Sequence, residues 1–327
     1  MTSPRRQLVD PTSPGYFHCV TRCVRRAFLC GVDAESGESF EHRKAWVEER
    51  ILELGTIFAM AVYAYAVMSN HVHVVVYVDP DAAAAWTDEA VATRWARLFP
   101  IRLPDNSVDE LATRNRVEAA LGSPERVATL RARLASLSWF MRCLNERIAR
   151  RANKEDRCTG RFWEGRFKCQ ALLDDAAVLA CMSYVDLNPV RSKLADELAN
   201  CEHTSVKRRL AAKQGDTSRP IRPVSASVPE PSLPLSEVDY LELVDWTGRQ
   251  ARPGKRGVIA AAAPSVLRRI GVDSRSWRYQ VLGIENRYWR AVGAADALVQ
   301  KAAEMGQRWL KGGGRRCEQR AAACALA

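Results

Sequence analysis

The order of apolar and polar positions predicts a short strand first. Gly15-Tyr16-Phe17-His18-Cys19-Val20-Thr21-Arg22-Cys23-Val24 is rich in aromatic and β-branched residues behind a glycine, which reads as a strand over 15–24. Trp46, Val47, Ile51, Leu52 and Leu54 then recur near helical spacing with Glu and Arg between them, predicting a helix over 37–54. Two further strands follow, over 57–67 and 71–78. The polar break Met68-Ser69-Asn70 between them suits a hairpin turn, so the pair is expected to be antiparallel. Residues 82–99, rich in Ala and Trp, read as helical. Pro100, Pro104, Asp105, Asn106 and Ser107 mark an irregular insertion over 100–123, and 125–152 reads as one long Arg-rich amphipathic helix. A fourth strand is expected over 166–173. Asp174-Asp175 then starts a helix that Asn188-Pro189 closes near Leu187, because proline disfavours helical geometry in the residue before it.

The order β-α-β-β-α, with one more strand and helix, predicts an α+β fold. The expectation is a ferredoxin-like sandwich with a central antiparallel sheet and helices on one side, plus a C-terminal helical extension. The domain reading is a catalytic unit over 1–205 with an insertion at about 80–125, a linker over 206–236, and a basic helical C-terminal domain over 237–327. The linker is read from its Pro, Ser and Arg content.

Composition adds three constraints. No apolar run approaches the ~18 residues that a bilayer span needs, and the polar start leads into no signal-like apolar core, so a cytoplasmic location and no membrane partner are expected. The net charge of +11 is unevenly placed: residues 1–200 carry 27 basic and 26 acidic side chains, residues 201–327 carry 22 and 12. A polyanion partner, attracted mainly by the C-terminal part, follows from that asymmetry. Ten cysteines are scattered with no C-x-x-C pair, which favours reduced, buried thiols over a zinc site.

Three local patterns carry chemistry. Among only five histidines, His71 and His73 flank Val72. Side chains alternate along a strand, so the two imidazoles share a face about 6–7 Å apart and can converge on a divalent ion. Equally, they can be two polar residues on the wet face of a half-buried sheet. Tyr184 and Asn188 stand at i and i+4 on one helix face. Asn188 can add an oxygen to the same metal while the Tyr184 phenol serves as a nucleophile on phosphorus, or the pair can be a core tyrosine and a turn residue. The run Arg161-Phe162-Trp163-Glu164-Gly165-Arg166-Phe167-Lys168 alternates cations with aromatic rings, a pattern that suits phosphates and unpaired bases. It is also the pattern of a packed aromatic turn after a solvated helix.

Together, Ala64-Tyr65-Ala66-Val67-Met68-Ser69-Asn70-His71-Val72-His73-Val74-Val75, Gly160 to Phe167, and Tyr184-Val185-Asp186-Leu187-Asn188-Pro189-Val190-Arg191 resemble the REP-associated tyrosine transposases, in the same order along the chain. These are single-tyrosine members of the HUH endonuclease superfamily, named for His-hydrophobic-His. The resemblance covers about residues 15–200. It implies that His71, His73 and Asn188 bind Mg²⁺ or Mn²⁺ and that Tyr184 is the nucleophile, with the histidine pair on a central strand and the tyrosine on a facing helix. It implies cutting and rejoining of single-stranded or hairpin DNA through a 5′-phosphotyrosine link. The expected DNA-contacting set is Arg22, Arg161, Trp163, Arg166, Lys168 and Arg191. One nucleophile holds one strand, so full transfer needs either a homodimer or sequential cycles. The insertion and the C-terminal extension depart from the compact members. Two other classes stay open: a catalytically silent DNA-binding protein on the same fold, and a metal-dependent hydrolase of small phosphoesters.

Overall fold

A computed structural model describes residues 8–24, 29–32, 37–212, 220–229, 231, 233–251, 264–286 and 290–311. Strand β1 (Gly15–Arg22) leads to helix α1 (Arg43–Ile57), then to the hairpin β2 (Met60–Val67) and β3 (His71–Val78). Four helices follow: α2 (Pro80–Ala85), α3 (Asp88–Leu98), α4 (Glu110–Leu121) and α5 (Pro124–Leu134). Next come α6 (Leu137–Glu155), β4 (Lys168–Leu172), α7 (Asp175–Asp186), α8 (Asn188–Arg191) and α9 (Ser205–Ala211). The remainder is β5 (Ser225–Ala226), α10 (Glu237–Ala251), α11 (Ser265–Arg269), α12 (Ser274–Gly283), β6 (Ala291–Val292) and α13 (Ala295–Glu304).

The sheet order is β5-β2-β3-β1-β4-β6, and its four central strands, β2, β3, β1 and β4, are antiparallel to one another. The chain therefore has the expected α+β fold, with β-α-β-β-α-β at its centre. The hairpin closes at the predicted polar break, through Met68 N–H to His71 C=O at 2.9 Å. The register brings Val20 opposite His73 on one side and opposite Lys168 on the other.

Alternation sorts the sheet into two apolar layers. Phe17, Cys19, Val72, Val74 and Val76 point into a core with Val47, Ile51 and Leu54 of α1 and Phe140, Met141 and Leu144 of α6. Ala61, Tyr63, Ala66, Val75 and Leu172 point into a second core with α7, α10 and α12. Helices on one side, as expected from the sequence, describe the α1/α6 layer. The other face is covered too, and this explains β2, whose eight residues are all buried. A strand covered on both faces has no reason to alternate.

Several boundaries differ from expectation. The stretch over 100–123 is irregular only in its first part. Asp109 caps the helix α4 by accepting from Ala112 N–H, so turn residues end where a capped helix begins. The single helix expected over 125–152 is two, separated at Ala135-Ser136, where Ser136 is extended. Helix α7 does end at Asp186, next to the expected Leu187, but Pro189 then lies in the first turn of the short helix α8, where its missing N–H is not needed. The region read as a linker holds most of α9 and the edge strand β5, which pairs with β2. The C-terminal region adds β6, parallel to β4, to the other edge. Among the described residues, no helix is long and apolar enough to cross a membrane.

Candidate active site

The site lies on the sheet face that α7 covers. Gln170 of β4 pairs in register with His18 of β1, and His71 and His73 lie on β3 beyond it. Period-two alternation puts all four side chains on one face. Helix α7 is capped by Asp174, which accepts from Ala177 N–H, and every residue from Ala177 to Asp186 is buried. A helix apolar all round belongs between layers, here between the sheet and α10 and α12. That placement brings its last turn over the histidines.

The expected residues meet. The Tyr184 ring stands edge-on to His73 at 5.7 Å between centroids, and the His71 and His73 rings are 4.7 Å apart. Asn188 Nδ2 is 3.0 Å from His73 Nε2. His73 is 0% exposed, Tyr184 3% and Asn188 6%, and His71 is partly buried, so the face around His73 is not a wet one. The Asn70 carboxamide oxygen, at 2.5 Å, holds His71 Nδ1.

Sequence reasoning missed four groups here. His18 Nε2 contacts His73 Nδ1 at 2.9 Å, and the two rings are stacked. Gln170 Oε1 contacts His18 Nδ1 at 2.8 Å, and Gln170 Nε2 donates to the Ile284 carbonyl at 2.8 Å. The Glu285 carboxylate is 3.8 Å from His73 Nε2, and its charge acts on the Tyr184 hydroxyl. His18 was visible as one of five histidines inside a predicted strand. Nothing in the sequence pattern pointed to Gln170, Ile284 or Glu285.

Burial sets the electrostatics. It pushes His71 down to about 4, helped by the Arg22 charge beside it, and holds His73 well below the ordinary imidazole value, helped by His18 and His71. His18 is lowered by burial as well. The three rings are therefore neutral near pH 7 and have lone pairs to offer. Burial and the Glu285 charge raise the Tyr184 phenol, while Arg191, stacked on its ring at 4.5 Å, works in the opposite direction.

The donor chemistry fits a divalent ion. Two adjacent ligand atoms of an octahedral ion at about 2.1 Å stand about 3 Å apart; Asn188 Nδ2 is that close to His73 Nε2, and a turn of the amide would present Oδ1, the atom a metal takes, in its place. His71 supplies a second imidazole on the same face. Among the described residues, no cluster of three or more His, Cys, Asp or Glu side chains is arranged for a metal. The candidate set is thus two imidazoles and a carboxamide, with a carboxylate nearby.

The basic run divides by burial. Arg161, Arg166 and Lys168 are exposed, whereas Phe162 and Phe167 are buried. Trp163 is half-buried, packs edge-on against Phe162, and donates its indole N–H to the Asn145 carbonyl at 2.8 Å. The two phenylalanines of this run are packing groups. Arg22 is exposed opposite His71, and the 161–168 segment is tied to the same strand end through Glu164 N–H to Arg22 C=O. Arg191 is exposed over Tyr184. Arg22 and Arg191 therefore lie beside the site, and the exposed cations of the 161–168 run belong to a segment joined to the strand end that carries Arg22.

No protein-family model matches the sequence, and no match was found among curated proteins. Among solved structures, the chain is similar to one described as a REP-associated tyrosine transposase bound to a REP hairpin. The two are 11% identical over 70% of this chain and 94% of that one, with a TM-score of 0.34. A similarity that distant assigns neither residues nor activity. The functional weight falls on the side chains of the site.

Proposed function

We propose that this chain is a metal-dependent tyrosine DNA strand transferase that cuts and rejoins single-stranded or hairpin DNA. The observation that carries it is the convergence of Tyr184, His73 and Asn188, 111 and 4 positions apart in the chain, within one buried contact. His71, His73 and Asn188 would hold Mg²⁺ or Mn²⁺. When bound, the ion supplies Lewis-acid polarisation of the scissile phosphate.

The chain's own residues do the rest. Tyr184 Oη attacks phosphorus, its proton passes to the nearby Glu285 carboxylate, and the bond from phosphorus to the 3′-oxygen breaks. The leaving oxygen takes a proton from water. A 5′-phosphotyrosine and a 3′-hydroxyl result, and attack by a 3′-hydroxyl on that link reverses the step. The phosphodiester energy is kept, so no nucleotide triphosphate is required, in keeping with the absence of a G-x-x-x-x-G-K-[ST] run. Arg191 sits where it can neutralise phenolate charge. Because Tyr184 is 3% exposed, substrate must displace the Arg191 and Glu285 side chains that cover it. Arg22, Arg161, Arg166 and Lys168 would track the DNA backbone on the way in, with the open edge of Trp163 beside them.

Labelled single-stranded and hairpin oligonucleotides, incubated with Mn²⁺ and resolved under denaturing conditions, test the reading. Wild type should form a covalent adduct that chelator abolishes, and Tyr184→Phe should form none while retaining DNA affinity. An adduct on Tyr184→Phe would reject the nucleophile. Reversible binding without any adduct would favour a silent DNA-binding protein, and neither binding nor adduct a hydrolase of small phosphoesters.

A further inference from the structure

Resting on the reading of His73 as a metal ligand, we propose that His18 and Gln170 are positioning residues that fix the His73 tautomer, and that the C-terminal region sets it through one main-chain carbonyl. The contacts form a single file: Ile284 C=O, Gln170, His18, His73 and Asn188. Its direction follows from donor and acceptor accounting.

A carbonyl oxygen only accepts. The Ile284 carbonyl therefore requires the Gln170 amide nitrogen to face it, at 2.8 Å, and turns the Gln170 oxygen towards His18. That oxygen also only accepts, so the proton of neutral His18 is on Nδ1 and its Nε2 carries a lone pair. At 2.9 Å from His73 Nδ1, this lone pair needs a donor. The proton of His73 is then on Nδ1, and His73 Nε2 is left as a bare lone pair aimed at Asn188 and the space beside Glu285. Nε2 is the atom a metal would take, and the reverse tautomer would fill that position with a proton.

The first group in the file is remote in sequence. Ile284 follows the last turn of α12, where carbonyls have no partner within the helix. Gln170 satisfies it across 114 positions. This gives the C-terminal region a task in the chemistry apart from its charge: it supplies the acceptor that orients the relay. Burial of His18 and His73 keeps water from offering an alternative partner.

The test uses the full chain labelled with ¹⁵N-histidine and kept metal-free. Two-bond ¹H–¹⁵N correlation separates the tautomers, with assignment by single His substitutions. His18 and His73 should each show a protonated Nδ1 and a bare Nε2. A protonated Nε2 on His73 in the wild type overturns the proposal by itself, even if no variant folds. Gln170→Met keeps bulk but removes both hydrogen bonds. It should mix the tautomers of both rings and weaken Mn²⁺ binding, read by calorimetry well below the variant's own melting midpoint, by about 10–100-fold. Unmixed tautomers, or Mn²⁺ affinity within about twofold of wild type, would overturn it. If the tautomers are as stated but the wild type binds no Mn²⁺, the relay stands and the metal-dependent function falls.

Discussion

Asp186 lies midway between Tyr184 and Asn188 and is fully buried. One carboxylate oxygen accepts from Ser205 Oγ and from Val206 N–H at 3.0 Å, and the other accepts from Tyr240 Oη at 2.6 Å. It thus ties the end of α7 to both α9 and α10. Asp186→Ala leaves the Val206 N–H and the Tyr240 hydroxyl, both buried, without their acceptor, while Ser205 Oγ can turn to the Tyr65 carbonyl at 3.3 Å. At about 1–3 kcal/mol for each unsatisfied group, the loss should be about 2–6 kcal/mol. Asp186→Asn keeps an oxygen for Ser205 and Val206, and its amide can donate to a rotated Tyr240 hydroxyl. Only charge assistance is lost, and the buried charge goes with it, so about 1–2 kcal/mol is expected. Urea denaturation followed by circular dichroism gives both values. With about 1.5 °C for each kcal/mol in a chain of this length, the alanine variant should melt at least about 3 °C below wild type. If the two variants were equally stable, within about 0.5 kcal/mol of wild type, the buried network would not be what holds the end of α7.

Two other outcomes can be checked directly. Replacing Arg161, Arg166 and Lys168 together by Ala should lower the slope of log affinity against log salt for single-stranded DNA by about 2, at roughly 0.7 for each phosphate contact. An unchanged slope in a filter-binding titration would remove these cations from the DNA path. Glu48 is half-buried, and burial opposes its charge, but the His203 and Tyr65 hydrogen bonds prevail and hold its carboxyl below the usual value of 4.5. A lowered folded value means stability that is present above the unfolded pKa and is lost as pH falls through the folded one. The acid-unfolding limb below about pH 4.5 should therefore be shallower in Glu48→Gln. Parallel limbs in the two proteins would contradict this.

Local physics was enough to read much of the architecture. β-branched and aromatic runs, a polar hairpin break and a capped α7 each announce themselves within about ten residues, and the structure puts strands and helix where those signals stand. The insertion was less legible because its turn residues masked the capped helix α4 behind them. His71, His73, Tyr184 and Asn188 could be named as a set from spacing within two short motifs and from the resemblance those motifs carry.

Other features depended on packing between distant segments. That the face around His73 is dry results from α7 and the C-terminal helices lying on it, and alternation along β3 is the same for a wet face or a covered one. The same packing turns Phe162 and Phe167 inward while their neighbouring cations stay outside. His18, Gln170, Ile284 and Glu285 have no periodic or motif signature, because their roles arise from strand register and from a helix end more than 100 positions away. Spacing along one element determines which side chains share a face. Which groups meet across that face is decided only when the sheet order and the second helical layer are in place.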